Sequence, residues 1–340
     1  MSRMPEMSPL ELRLLDEFQR DFPLVSAPYA VLAGMLETTE RTVLDTLERL
    51  SSAGAVSRIG AVFRPGAVGA STLAALAVPR EEICAAAALV SAFPEVSHNY
   101  ERENAYNLWF VAMATDAVRL DAVLGAIEAR TGRRVLRLPL VEEYHIDLGF
   151  RLRDTGGARP QVAARPRRPV AAVLTPRERR LVSALQPGLP LVTHPYAALG
   201  EACGLAEEVV IGAIARWQDA GIVRRFGVVV RHRELGFGAN AMAVWDVPDD
   251  TVGEAGMQLA REQRVTLAYC RARSLPQWPY NLYCMVHGRE RAQVEATLAS
   301  AARRAGLGGR PHAVLFSRRR FKQASACVAP MESGWTPSIV

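Results

Sequence analysis

Nowhere in the 340 residues does an apolar run approach the roughly 20 positions needed to cross a bilayer. The opening residues, Met1 to Met7, also lack the basic-then-apolar pattern of a secretion signal, so a cytoplasmic protein is expected. Cysteine is scarce and odd in number: Cys84, Cys203, Cys270, Cys284 and Cys327 are scattered, with no C-x-x-C pair. That argues against a disulfide framework or a zinc site and for buried free thiols. A disorder-type composition is absent too, since 49% apolar content is enough for two to four globular domains. Acidic residues are outnumbered, 35 against 41 Lys and Arg, and the net charge of +6 with a pI near 9.3 favours an anionic partner. Nucleic acid, an acidic small molecule and a membrane surface all satisfy that charge.

What the chain does contain is a second copy of itself. Ser8-Pro9-Leu10-Glu11 is a capping box with proline at the first helical position, and Thr175-Pro176-Arg177-Glu178 repeats it at an offset of 167. The offset holds at Leu14/Leu181, Pro28-Tyr29/Pro195-Tyr196, Ala53-Gly54/Ala220-Gly221 and Gly60/Gly227, which marks an internal duplication. Within each copy, apolar residues recur at helical spacing over about 9–20, 28–36 and 39–53, and alternating strands follow at Val56 to Phe63 and Val223 to Val230. This order predicts a winged helix-turn-helix. Next come a strand, a helix, two strands joined by a loop, a helix and a last strand (Arg134 to Tyr144; Pro311 to Phe316), the β-α-β-β-α-β order of a ferredoxin-like layer.

The expected fold class is therefore α+β, a tandem repeat of winged helix-turn-helix plus ferredoxin-like domain. The units run over residues 8–65 and 66–150, then 175–232 and 233–323. Between them 151–174 reads as an Arg/Pro/Gly-rich linker, and 324–340 as an unpatterned tail. One face of each antiparallel sheet needs cover, so the copies should pack sheet to sheet with a pocket between them. DNA reading would need basic or amide side chains at the start of each third helix. The chain has Thr39-Glu40-Arg41-Thr42 and Glu207-Glu208-Val209-Val210, and carboxylates facing phosphates weaken binding.

The copies diverge most in Val96 to Val111 and its longer counterpart Val265 to Val286. Both end in Tyr-Asn-Leu-aromatic. Tyr100/Tyr269 and Arg102/Arg271 stay matched, but His98 stands opposite Leu267, Asn99 opposite Ala268 and Glu101 opposite Cys270. Matching Phe316 to Tyr144 sets Ser317 against His145, which would confine both imidazoles to the first half. His194, His232, His287 and His312 have weaker claims, and His287 reads as lying where a strand enters a turn.

The winged helix with a ferredoxin-like domain resembles the Lrp/AsnC regulators, twice over nearly the whole chain. Ser97-His98-Asn99-Tyr100-Glu101-Arg102, Tyr106 to Phe110, Glu143 to Phe150, Pro276 to Met285 and Leu315 to Gln323 resemble the siroheme decarboxylases, in particular the fused D-L form of the haem d1 pathway. The resemblance implies conversion of siroheme to 12,18-didecarboxysiroheme by loss of carbon dioxide from the acetates on rings C and D. No added cofactor and no protein metal site is implied, since the substrate itself carries iron.

Other enzymes of that pathway become candidate partners, whereas DNA and membrane do not. The fused chain should be a pseudo-dimer, with pairing of two chains left open. Decarboxylating an acetate on such a ring calls for proton transfers near neutrality, which makes His98 and His145 the acid-base candidates; a satisfied structural histidine is the alternative for each, and ligation of the iron a further one for His98. The substrate's eight carboxylates call for guanidinium forks and hydrogen-bond donors. Arg102 and Arg271 rank first, with Arg273, Arg318, Arg319, Arg320 and Lys322 behind them; Arg318 to Lys322 would otherwise be a solvated strand end. Asn99, Tyr100 and Tyr269 are further candidates, and Trp109 and Trp278 are expected to pack in the core or rim the pocket. A tetrapyrrole-sensing regulator and a siroheme carrier are the competing classes.

Overall fold

The computed structural model describes residues 7–146, 168, 171–231 and 234–324. The expected linker and tail lie almost wholly outside these residues, as do Asp147 to Phe150, His232 and Cys327.

In the first copy, α1 (Pro9–Glu17), α2 (Pro28–Met35) and α3 (Glu40–Ser52) are followed by β1 (Val56–Phe63), β2 (Ala70–Leu76), α4 (Ile83–Ser91), β3 (Val96–Arg102), β4 (Leu108–Ala114), α5 (Ala117–Thr131) and β5 (Leu136–Ile146). In the second copy, α6 (Pro176–Leu185), α7 (Pro195–Cys203) and α8 (Glu207–Asp219) lead to β6 (Val223–Val230) and β7 (Ala239–Trp245). Then come α9 (Val252–Ala260), β8 (Val265–Arg271), β9 (Leu282–Gly288), α10 (Arg291–Arg304) and β10 (His312–Gln323). Both capping boxes form: Ser8 with Glu11 starts α1, and Thr175 with Glu178 starts α6.

The two ferredoxin-like sheets do face one another, and they are also stitched edge to edge. The closed order is β10-β3-β4-β2-β5-β8-β9-β7, because β5 leaves its own sheet to pair with β8 and β10 leaves its own to pair with β3. Closure removes the free sheet edges. It also explains why β10 runs through Gln323 rather than ending at Phe316 as the alternation suggested. Its first half pairs with β7, and its basic second half, where the apolar alternation is lost, pairs with β3.

Four cores result. One lies inside the barrel, around Trp109, Trp278, Tyr283 and Leu315, and one lies under each pair of ferredoxin-like helices. The fourth is shared by both helix-turn-helix units. The strand after each helix-turn-helix unit pairs with its counterpart in the other copy, β1 against β6 with Gly60 opposite Gly227. At Gly227 the ribbon passes so close to the end of α1 that a Cβ would sit 2.4 Å from the Phe18 carbonyl oxygen. Val228 N–H donates to that same oxygen at 2.8 Å.

The repeated Tyr-Asn-Leu-aromatic motif is structural. Asn107 brackets Val78, accepting from its N–H at 3.0 Å and donating to its carbonyl at 2.7 Å, and Asn281 does the same to Val247 at 3.0 and 2.9 Å. Trp109 and Trp278 meet edge to face with ring centroids 5.1 Å apart, filling the barrel as expected of them.

Candidate active site

Above that aromatic plug the barrel opens into a cavity of about 420 Å³, roofed by the β1/β6 ribbon. Strand pleat decides what enters it. Along β3, His98, Tyr100 and Arg102 face inward, and a bulge after Val96 turns Ser97 inward as well. On the opposite wall Tyr269 and Arg271 of β8 occupy the matched positions. Each guanidinium lies over its tyrosine, Arg102 at 5.8 Å from the Tyr100 centroid and Arg271 at 4.7 Å from that of Tyr269. Arg102, 8% exposed, donates to the Leu315 carbonyl at 3.1 Å, and Arg271 donates to that of Leu138 at 2.7 Å.

Two further arginines, missed in the sequence, descend from the roof. Arg58 and Arg225 are related by the same 167-residue offset as the capping boxes. Burial pulls the Arg58 guanidinium down to about 10, and its Nε is buried with no acceptor among the described residues, as is the Nε of Arg271. The signal for this pair was present in the duplication, but a strand assigned to a wing gave no reason to look there for a ligand site. Among the described residues lining the cavity there are four arginines and no carboxylate.

His98 donates or accepts at Nδ1 with Ser97 Oγ, 2.8 Å away, and stacks on Tyr100. Burial first, and then the nearby Arg58 charge, push its pKa down to about 4. It is therefore a neutral imidazole at physiological pH. The second imidazole in the cavity is His287, on β9, with Nδ1 2.9 Å from Thr266 Oγ1. Sequence reasoning set it aside as the entry to a turn, because strand pairing with β7 is what turns it inward.

The other expected site residues lie elsewhere. His145 pairs with Ala268, which packs in the helix-side core, and the cavity lining contains Ile146 but not His145. A bulge between Glu143 and His145 shifts the alternation there, which a reading by strand position could not see. Asn99 points to the helix layer, 0% exposed, donating to the Ala87 carbonyl at 3.1 Å and to Ser91 Oγ at 3.0 Å. Lys322 caps the end of α4 by donating to the Ser91 and Phe93 carbonyls, both at 2.9 Å. Arg273 is bound to Asp246, Asp249 and the Val247 carbonyl beside its own loop. Arg318 pairs with Glu103 outside the barrel, while Arg319 pairs with Glu101 and Arg320 with Glu234. The basic strand end is thus spent on protein carboxylates and carbonyls.

A duplicated helix-turn-helix and βαββαβ chain closed into one barrel around an arginine-framed cavity defines an AsnC-type ligand-binding protein. The family model for the AsnC-like ligand binding domain matches residues 67–145 and 234–322, and that for the siroheme decarboxylase NirDL-like HTH domain matches 11–56 and 178–224. The siroheme decarboxylase NirDL subunit of Paracoccus pantotrophus is 47% identical over 95% of this chain and 98% of its own. The siroheme decarboxylase of Hydrogenobacter thermophilus is 32% identical over 92% of each. A crystal structure of the siroheme decarboxylase NirDL in co-complex with an iron-uroporphyrin III analogue superposes with a TM-score of 0.66 at 28% identity, covering 94% of this chain and 93% of that one. The chain belongs to the siroheme decarboxylase family, and it is a carboxy-lyase.

Proposed function

We propose that the protein removes the carboxyl groups of the ring C and ring D acetates of siroheme, yielding 12,18-didecarboxysiroheme for haem d1 biosynthesis. The observation that carries this reading is the cavity lining, with arginines from both copies and, among the described residues, no acidic side chain. A relative of this family holds an iron-uroporphyrin III analogue, another polycarboxylate tetrapyrrole.

In this reading Arg58, Arg102, Arg225 and Arg271 receive carboxylates that are not lost, fixing the macrocycle's orientation. Burial is the larger cause of the depressed His98 pKa and the Arg58 charge the smaller, and entry of these anions offsets that smaller cause, raising the imidazole's affinity for a proton. His98 then supplies the proton that the departing carbon dioxide leaves wanting at the exocyclic carbon. Electrons from the broken C–C bond flow into the protonated macrocycle, so the reaction needs no resident cofactor. DNA binding plays no part. Glu207, at the start of α8, is engaged by the Ser26 hydroxyl at 2.9 Å, and both helix-turn-helix units are merged in one core.

Anaerobic incubation with siroheme should give a product lighter by two carbon dioxide molecules in mass spectrometry. Siroheme recovered unmodified, with an intact bound-state spectrum, would make the protein a carrier instead.

A further inference from the structure

The four arginines of the cavity come from β1, β3, β6 and β8, and among the described residues β2 and β4 add no charged side chain to it. What those two strands present instead is an apolar corner. Leu73 pairs with Val111 and Ser71 with Met113, and alternation along both strands turns all four side chains inward. The turn into β2 adds Pro65 and Val68. Ser71 brings the corner one hydroxyl, while that of Thr72 donates to the Leu73 carbonyl at 3.0 Å.

The fold does not require this. At the matched positions of β7 and β9 the second copy carries Asn240 for Ser71 and His287 for Met113, paired across the strands in the same register. For a substrate with eight carboxylates, a corner without a cation is a poor place to bind an anion. It is a good place to lose one.

Resting on the function proposed above, we infer that the corner of Leu73, Val111 and Met113 receives the carboxylate of one reacting acetate, and that this placement selects it for loss. A carboxylate held in a guanidinium fork is stabilised as an anion, and breaking its C–C bond forfeits those charged hydrogen bonds, a handicap of about 10- to 100-fold. Among hydrocarbon groups the same carboxylate is stripped of water without compensation. The transition state is penalised less, because its charge is already spreading into the macrocycle. The bond between methylene and carboxylate carbon breaks heterolytically, neutral carbon dioxide leaves, the electron pair passes to the macrocycle, and one proton converts the methylene carbon to a methyl group. His98 is the cross-strand neighbour of Val111, and the Cβ atoms of such pairs lie about 5 Å apart, so the proton is at hand. Behind the corner, Pro65, Ser71, Thr72 and Leu140 also line an outer groove beside Leu120 and Leu124 of α5. The wall that faces the departing carbon dioxide is thus one residue thick.

The test is anaerobic turnover of siroheme by wild type, Met113→Leu, Met113→Lys and Met113→Gln, with products identified by mass spectrometry and binding followed by absorbance titration. Met113→Leu should behave as wild type and release two carbon dioxide molecules. Lysine nearly matches methionine in size, so Met113→Lys places a cation in the corner with little change of shape. It should bind siroheme about 10-fold more tightly and yield chiefly a product that has lost one carbon dioxide molecule. Tighter binding with slower loss is the reverse of what a packing defect gives. Met113→Gln, whose amide donates to a carboxylate without adding charge, should slow release of the same carbon dioxide about 10-fold, and it carries the test if the lysine variant fails to fold. Release of two carbon dioxide molecules at the wild-type rate by Met113→Lys, or by Met113→Gln in its place, would overturn the inference, as would weaker siroheme binding by folded Met113→Lys. If wild type itself releases no carbon dioxide, it is the proposed function that falls.

Discussion

His98 should make the protein lose stability in acid by an amount that follows from its burial. Its pKa is about 4 in the folded chain, against about 6.5 for an exposed imidazole. Between those values the unfolded chain binds a proton that the folded chain refuses, so stability rises with pH through this window and is lost as pH falls from about 6.5 toward 4. Integrated from pH 7 to pH 5, the loss assigned to this one ring is about 2 kcal/mol. The perturbation is His98→Gln, which keeps an amide near Ser97 and removes the titration. Urea unfolding of both proteins at several pH values gives the difference in ΔG, in which the carboxylates and other histidines cancel. That difference should shift by about 2 kcal/mol in favour of the variant on going to pH 5. Parallel ΔG curves for wild type and variant would mean that His98 is solvated or already charged, and the account of a neutral imidazole waiting for anions would fail.

Other consequences follow from the same geometry. Arg102→Met should weaken siroheme binding on the order of 10- to 100-fold in an absorbance titration, the loss expected for a buried charged hydrogen-bond donor; an unchanged Kd would remove Arg102 from the site. Asn99→Ala should lower stability by about 1–3 kcal/mol, because the Ala87 carbonyl and Ser91 hydroxyl lose their partner, while siroheme affinity stays as in wild type. Weaker binding at unchanged stability would put Asn99 back in the cavity. In a gel shift at moderate salt no duplex should be retarded, and a band that fades with rising salt would show that the merged helix-turn-helix units still hold phosphate.

Duplication, element order and the family were all legible in the residues, because each rests on local rules: capping boxes at a fixed offset, helical and strand periodicity, and motifs long enough to be distinctive. Five expected cavity residues, His98, Tyr100, Arg102, Tyr269 and Arg271, come together there because simple alternation along β3 and β8 holds past their first bulges. The expected confinement of both imidazoles to the first copy is not what the barrel presents. Among the described residues each copy contributes one imidazole and two guanidinium groups.

What the sequence determined by itself was which side chains exist in matched or diverged pairs. Which of them share a space was decided only by closure of the barrel. The bulge before His145 carries that ring to the helix side, pairing of β10 with β3 spends the basic strand end on protein partners, and pairing of β1 with β6 lays Arg58 and Arg225 over the opening. These are contacts between residues far apart in the chain, set by strand pairing across the two copies, and no periodicity within either copy encodes them.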